Sequence, residues 1–228
     1  KNCYVMKLRK EIEDTSVVVA NHALLLSDLR MEKSTLGEYE YLVIDEAHNL
    51  MASASKHLGA SLSYADVIIL FNQIASSSRK NRSGYIQQLQ KAIQKSVLPE
   101  EKKNQCLSSA ERVEQLLEAV RPPLLDIFNL ASANCSAADS YNKLRIKDVA
   151  EQKQLFDKLG AFSLDFKEIC KAIQALHNVI SSFESGQIPS YEQLFESLDA
   201  FMMRLREMEG VILAMLNPDL DNYAMWIE

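Results

Sequence analysis

The sequence predicts a mainly α-helical protein with a small, incomplete α/β portion near its N-terminal end. Short apolar runs lie near the two ends of the chain: residues 16–20 and 41–44 are rich in Val and Ile, and residues 223–227 are apolar and aromatic. From about residue 61 to residue 216, apolar side chains instead recur at helical spacing almost without interruption. This order predicts strand-type sequence at both ends with a long helical insertion between them.

The predicted α/β portion depends on two of these runs. Residues 16–20 and 41–44 have the composition of strands that are buried on both faces of a parallel sheet. Residues 21–29 have helical spacing, so the order strand, helix, strand predicts a right-handed crossover. Because two strands do not form a stable parallel sheet alone, we expect partner strands from outside these residues. A short basic helix is predicted ahead of them, at residues 4–13.

Three helices are predicted in the first part of the insertion. Ser63 is a candidate N-cap for a helix with Val67, Leu70, Phe71 and Ile74 on one face. The second carries Ile86, Leu89 and Ile93 and ends before Pro99. Ser109 begins the third, which Pro122 and Pro123 are expected to interrupt. Residues 132–148 are small and polar, which predicts a loose linker or mobile loop with a candidate short strand at residues 144–146.

The clearest periodic signal comes from two later segments that alternate spacings of four and three residues. The first is Leu155, Leu159, Phe162, Phe166, Ile169, Ile173, Leu176, Ile180 and Phe183, and the second is Tyr191, Leu194, Leu198, Phe201, Leu205, Met208, Ile212 and Met215. This period predicts an antiparallel helical hairpin with arms of about 40 Å. Gly186 and Pro189 lie in the turn, and Ser190 with Gln193 fits a capping box. A projecting arm and two core helices of a bundle fit this pattern equally well.

An acidic tetrad, Asp45-Glu46-Ala47-His48, directly follows the predicted strand at residues 41–44. A carboxylate at a strand end can hold the Mg²⁺ that bridges the terminal phosphates of a nucleotide. A second carboxylate beside it can orient and polarise the attacking water. The alternative is an acidic helix start that only complements the helix dipole. The residue order and the preceding strand favour the chemical interpretation.

Composition limits the other classes of function. The net charge of −6 argues against a uniformly basic nucleic-acid binder. The chain also has local basic clusters, for which solvated surface is the simplest interpretation. They are Lys7/Arg9/Lys10, Arg79/Lys80/Arg82, Lys102/Lys103 and Lys143/Arg145/Lys147. The four cysteines are far apart, so neither a zinc site nor a disulfide framework is indicated. No signal peptide or membrane span is expected, and a cytoplasmic location is predicted.

Several segments together resemble one protein family. Cys3-Tyr4 is followed by Arg9, residues 17–26 read Val-Val-Val-Ala-Asn-His-Ala-Leu-Leu-Leu, and residues 43–50 read Val-Ile-Asp-Glu-Ala-His-Asn-Leu. These segments, with the terminal residues 223–228, resemble the DinG/XPD-like superfamily-two DEAH-box DNA helicases. The resemblance implies a piece of a longer motor. Residues 1–58 would be the end of an iron–sulfur domain and the DEAH segment, residues 59–217 a helical arch domain, and residues 218–228 the return strand.

The resemblance also implies roles for individual residues. Asp45 would be the magnesium residue, Glu46 the catalytic base, and His48 the link between nucleotide state and DNA grip. Cys3 matches the last of four cysteines that hold a 4Fe-4S cluster. The other three would lie upstream, and the remaining cysteines of this chain, Cys106, Cys135 and Cys170, fall inside the implied arch, so this chain alone should not hold a cluster. Nucleic-acid contacts are implied for Arg9, Lys10, Asn21 and His22, although Asn21 and His22 could equally satisfy backbone groups.

The implied cofactors are ATP and Mg²⁺, and the implied partners are single-stranded DNA and the remainder of the helicase motor. The six glycines are isolated and no GxxxxGK[ST] phosphate loop occurs, so we expect the chain by itself neither to hydrolyse ATP nor to unwind DNA. One alternative is a non-catalytic helical module that binds a protein partner. Another is a metal hydrolase, which would need Asp45, His48 and His22 to converge in space.

Overall fold

The computed structural model describes residues 11–12, 15–29, 31, 34–76, 84–138, 143–220 and 222–228. The chain divides into two compact units, Lys1–Ser61 and Leu62–Glu228. The described part is mainly helical with one two-stranded antiparallel sheet, which confirms the predicted fold class. The predictions for the basic helix at residues 4–13, for Cys3, Arg9 and Lys10, and for the cluster Arg79/Lys80/Arg82 fall largely or wholly outside the described residues.

The first unit contains two short helices, α1 (His22–Asp28) and α2 (Leu50–Leu58), with a 3₁₀ turn at Ala47–Asn49. Helix α1 begins after Asn21, whose side chain accepts a hydrogen bond from the backbone N–H of Leu24 at 2.8 Å. Leu26, Asp28 and Leu36 are the residues buried within the described part of this unit. The described residues of this unit therefore form very little hydrophobic core.

The two buried strands predicted in the first unit are not observed. Residues 16–20 and 41–44 form no strand among the described residues, and nearly all of their side chains are exposed: Val19 is 94% and Val43 is 93% accessible. The prediction that these runs are buried is therefore wrong for this chain. The physical reason is that a strand requires a hydrogen-bonded neighbour, and the described residues supply none to either run.

The second unit is built from five helices and two strands among its described residues. They are α3 (Tyr64–Ile74), α4 (Tyr85–Gln94), α5 (Glu100–Ala138), β1 (Leu144–Ile146), α6 (Lys153–Ser181), α7 (Tyr191–Leu216) and β2 (Met225–Ile227). Ser63 caps α3 as predicted, accepting from the backbone N–H of Asp66 at 3.1 Å. Buried side chains of all five helices form a single hydrophobic core.

Helix α5 runs unbroken for 39 residues, so the interruption predicted at Pro122 and Pro123 is wrong. Each proline removes one helical hydrogen bond to the carbonyl four residues earlier, at Glu118 and Ala119. All four of these residues are exposed, so water can solvate the freed carbonyls. The buried face of the helix continues across the pair, with Leu117, Val120, Leu124 and Ile127 in the core. Packing on that face thus keeps the helix continuous.

Helices α6 and α7 form the predicted antiparallel hairpin. The Tyr191 hydroxyl donates to the carbonyl of Ile180, His177 contacts Asp199, and Arg206 donates to Gln174, so the partners run in opposite order along the two helices. All nine residues of the first predicted seam are buried. The hairpin belongs to the bundle, because Phe166 of α6 packs on Phe71 of α3.

The capping box predicted at the start of α7 is wrong. Ser190 is the N-cap residue, but it adopts a left-handed conformation with φ of 58° and makes no side-chain capping hydrogen bond. The turn itself is formed as expected around Gly186, whose φ of 95° favours glycine.

The two strands close the second unit. They pair antiparallel with Leu144 opposite Ile227 and Ile146 opposite Met225. The Cys135 thiol donates to the carbonyl of Ile227 at 3.1 Å, which ties β2 to α5. The linker predicted at residues 132–148 is wrong up to Ala138, because α5 extends that far. None of the described helices is apolar enough over sufficient length to cross a membrane.

Candidate active site at the DEAH turn

The acidic tetrad forms a tight turn between an irregular segment and α2. Asp45 and Glu46 make the turn, and the 3₁₀ helix Ala47–Asn49 leads into α2. Glu46 lies in the left-handed region with φ of 49° and ψ of 44°. For a residue other than glycine this conformation costs about 1 to 2 kcal/mol. Strained backbone of this kind is concentrated at functional sites, which makes the turn a candidate site.

Both carboxylates of the turn face solvent. One Asp45 carboxylate oxygen accepts the backbone N–H of Glu46 at 2.9 Å, so its other oxygen keeps its acceptor capacity. The Glu46 carboxylate lies 3.2 Å from Nδ1 of His48, and the two side chains are 65% and 72% exposed. Two hard oxygen ligands thus occupy consecutive positions of the turn, and an imidazole contacts the second of them, with all three side chains exposed to solvent.

His22 joins α1 to this turn. Its Nε2 lies 3.0 Å from the backbone carbonyl of Asp45. A carbonyl can only accept, so Nε2 carries the proton in this contact. Asn21 meanwhile caps α1 through the N–H of Leu24. Both side chains therefore bind backbone groups, which is the alternative to nucleic-acid contact that the sequence left open for them.

A buried carboxylate that sequence reasoning missed holds the segment after α1. Asp28 is 6% exposed and accepts a hydrogen bond from the Ser34 hydroxyl at 2.6 Å, together with the backbone N–H and hydroxyl of Thr35. Burial acts to raise the pKa of Asp28, but these hydrogen bonds outweigh it and place the pKa below its ordinary value. The only signal in the sequence is the Ser-Thr pair six residues downstream, which is too common to single out.

The donor chemistry of the turn fits magnesium. Mg²⁺ is usually bound by one or two protein carboxylates and completes its octahedron with water and phosphate oxygens, and Asp45 with Glu46 supplies that ligand type. A metal hydrolase would instead use the side chains of Asp45, His22 and His48 together. In the structure His22 contacts the Asp45 main chain and His48 contacts Glu46. No group of three or more His, Cys, Asp or Glu side chains in the described part of the chain is placed to hold a metal ion.

Known proteins similar to the chain include bacterial DNA helicases. The ATP-dependent DNA helicase YoaA of Escherichia coli is 39% identical over 95 residues, which cover 40% of this chain and 15% of the relative. The 3′-5′ exonuclease DinG of Bacillus subtilis is 31% identical over 85 residues, covering 37% of this chain and 9% of the relative. The ATP-dependent DNA helicase DinG of Photobacterium profundum is 24% identical over 243 residues, covering 100% of this chain and 32% of the relative.

The chain thus spans a third or less of the length of the curated relatives it matches. No protein-family model matches it. No solved structure matches it significantly. The relatives and the resemblance of the DEAH segment nevertheless agree, and the chain is related to the DinG/XPD-like family of DNA helicases.

Proposed function

We propose that this chain is part of an ATP-dependent DNA helicase or translocase that acts on single-stranded DNA in repair or replication in the cytoplasm. Residues 1–58 would contain the end of an iron–sulfur domain and the DEAH segment of the first motor domain. Residues 59–217 would form the helical arch, and residues 218–228 the strand that returns to the motor. The observation that carries the proposal is the pair of exposed carboxylates in the strained turn at Asp45 and Glu46.

Each residue of the turn has a separate task in the proposed reaction. Asp45 would hold the magnesium ion, and bound Mg²⁺ would neutralise charge on the terminal phosphates of ATP. Glu46 would orient and polarise the attacking water through its carboxylate. His48, 3.2 Å from that carboxylate, would restrict its orientation and report on the nucleotide state. His22 would fix the main chain at Asp45 through its carbonyl contact.

The exposed apolar runs support the same proposal. Residues 16–20 and 41–44 carry side chains typical of interior strands, yet Val17, Tyr41 and Val43 are 75%, 88% and 93% exposed. Apolar runs that also lack strand pairing are suited to addition to a sheet. We infer that strands of the remaining motor pair with both runs in the complete protein, with the DEAH turn at the end of one of them.

The remaining residue assignments rest on the resemblance. Cys3 would join three other cysteines of the complete protein around a 4Fe-4S cluster. Arg9 and Lys10 would contact the DNA backbone, because phosphate contacts are made chiefly by cationic side chains. Asn21 and His22 would serve DNA binding by shaping the segment that enters α1.

The experiment is a Glu46→Gln substitution in the complete protein. The variant should lose ATP turnover and keep nucleotide binding, because the amide preserves the size of the side chain but cannot act as a base. Glu40→Gln is the matched control, since Glu40 is also exposed and its substitution removes the same charge. ATP turnover at the wild-type rate in Glu46→Gln would remove Glu46 as the catalytic base.

One observation favours a second candidate function. The helical unit has its own continuous core, so it is suited to act as a non-catalytic interaction module with the acidic turn as a surface feature. The two candidates differ in what accompanies this chain in the gene. A phosphate loop and three further cysteines encoded upstream of Lys1 would support the helicase, and their absence from the gene would favour the interaction module.

A further inference from the structure

A groove in the second unit is lined by residues of α3, α4 and α7 and by the turn before α7. It consists of two adjoining hollows of about 500 and 240 Å³, both of which are bordered by Gln88 and Ser197. Binding sites for small ligands commonly have volumes of this order. The groove is therefore large enough to hold part of an extended ligand.

The helical spacing of the lining residues aligns them along the groove. Helix α4 and its C-cap contribute Tyr85, Gln88, Lys91 and Lys95, which are three to four residues apart and so lie on one face. Opposite them, α7 presents a stripe at the same spacing, which is Gln193, Ser197 and Phe201. The side chains thus form two facing rows rather than a scattered patch.

The charge of this lining is the reverse of that of the whole chain. Lys91 and Lys95 border the groove, and no carboxylate is among the residues that line either hollow. Neither ammonium group has an ion-pair partner in the described part of the chain. A third cation lies close by, because Arg204 donates to the amide of the lining residue Gln73 at 2.6 Å. A locally cationic groove in a chain of net charge −6 is suited to an anionic ligand.

We propose that this groove binds the backbone and bases of single-stranded DNA. Lys91 and Lys95 would contact successive phosphates, since side chains four residues apart on a helix are neighbours. Phe201 is partly exposed and contacts Tyr85 edge-on, with ring centroids 5.6 Å apart, so its ring offers a surface for a base. The amide nitrogen of Gln73, whose oxygen accepts from Arg204, provides a donor for a base edge. Cations, an aromatic ring and an amide donor together favour single-stranded nucleic acid over an acidic peptide.

The proposal rests on the proposed function only in taking single-stranded DNA as the substrate of the complete protein. Its test uses the 228-residue chain and a fluorescently labelled oligothymidylate, with anisotropy measured between about 50 and 200 mM salt. For single-stranded DNA each phosphate contact contributes about 0.7 to the slope of log affinity against log salt. The Lys91→Ala/Lys95→Ala variant should therefore show a slope about 1.4 smaller. Between 50 and 200 mM salt, the factor by which affinity decreases should be about seven times smaller for this variant than for the wild type.

The control is Lys153→Ala/Lys167→Ala, which removes the same charge from exposed positions of α6 outside the groove. It should leave the slope unchanged, and an abasic oligonucleotide should bind the wild type more weakly than oligothymidylate. The proposal is overturned if the control lowers the slope as much as the groove variant, if the groove variant keeps the wild-type slope, or if the wild-type chain does not bind at the lowest salt concentration. It is also overturned if polyglutamate competes as well as oligothymidylate. These outcomes are independent of ATP turnover in Glu46→Gln, so the two proposals fail separately.

Discussion

Phe166 is the residue whose removal should most clearly test the architecture of the helical unit. It lies on α6 with no accessible surface, and its ring centroid is 6.3 Å from that of Phe71 on α3 and 5.7 Å from that of Phe162. Truncation of a buried Phe to Ala removes its transfer free energy and leaves a cavity, at a typical cost of about 3 to 5 kcal/mol. For a domain of this size each kcal/mol lowers Tm by about 2 to 4 °C. Phe166→Ala should therefore lower Tm by about 6 to 20 °C.

The control for this prediction is on the same helix. Leu164 is two residues away and 69% exposed, so Leu164→Ala should change the free energy of unfolding by less than about 0.5 kcal/mol. The assay is thermal and urea denaturation followed by circular dichroism, which reports the helical unit. If Phe166→Ala were no more destabilising than Leu164→Ala, the packing of α6 in this core as described would be wrong.

The turn between α6 and α7 and the carboxylate of Asp28 give two further predictions. Gly186→Ala should destabilise the helical unit by about 1 kcal/mol, because alanine is disfavoured at a φ of 95°. Ser190→Gly should stabilise the unit by about 0.5 to 1 kcal/mol, because glycine adopts the left-handed conformation without the strain that serine has there. Urea denaturation measures both changes. Since hydrogen bonds lower the pKa of Asp28 in the folded chain, its contribution to stability is present above the ordinary value of 3.8 and is lost as pH falls through the lower folded value. In an NMR titration the amide of Thr35 should move with a midpoint below 3.8, and Asp28→Asn should abolish that step.

Helical periodicity predicted the helical core well because it reports burial directly. A side chain that recurs about every 3.5 residues must lie on one face of a helix, and a long apolar face must be covered. Both predicted arms of the hairpin are helices, and Leu194, Leu198, Leu205 and Ile212 of the second seam are buried. Periodicity does not identify the covering element. That α6 packs on α3 as well as on α7 depends on contacts between residues such as Phe71 and Phe166, which are far apart in the sequence.

Local rules failed where longer-range interactions decide the structure. Prolines normally end a helix, but here Pro122, Pro123 and the residues whose carbonyls they free are exposed, and the opposite face of the helix is packed. The runs at residues 16–20 and 41–44 have strand composition, but composition cannot supply the neighbour that makes a strand. In both cases the sequence pattern specified a local preference, and packing or its absence determined the outcome.

The candidate sites were predictable to different degrees. The order of residues in the tetrad predicted that Asp45 binds magnesium and that Glu46 acts on the attacking water. The structure places both residues at an exposed turn. The contact of His22 with the carbonyl of Asp45 was not predictable, since it joins residues 23 positions apart. Lys91 and Lys95 also carried no signal, because two lysines four residues apart look like an ordinary solvated helix face. Their significance comes from the stripe of α7 that faces them.

The contrast between the two units bears on how the DEAH turn obtains its geometry. The helical unit buries more than thirty side chains in one core, so its backbone is fixed by packing. Among the described residues of the first unit, burial is confined to Leu26, Asp28 and Leu36, which is too little apolar surface to fix the backbone of the described part by packing. Hydrogen bonds and side-chain contacts therefore hold the turn, from His22 to the Asp45 carbonyl and from His48 to Glu46. Exposed contacts of this kind contribute roughly 1 kcal/mol each or less. Under the proposed function, partner strands that bury residues 41–44 would therefore reshape the turn at low cost.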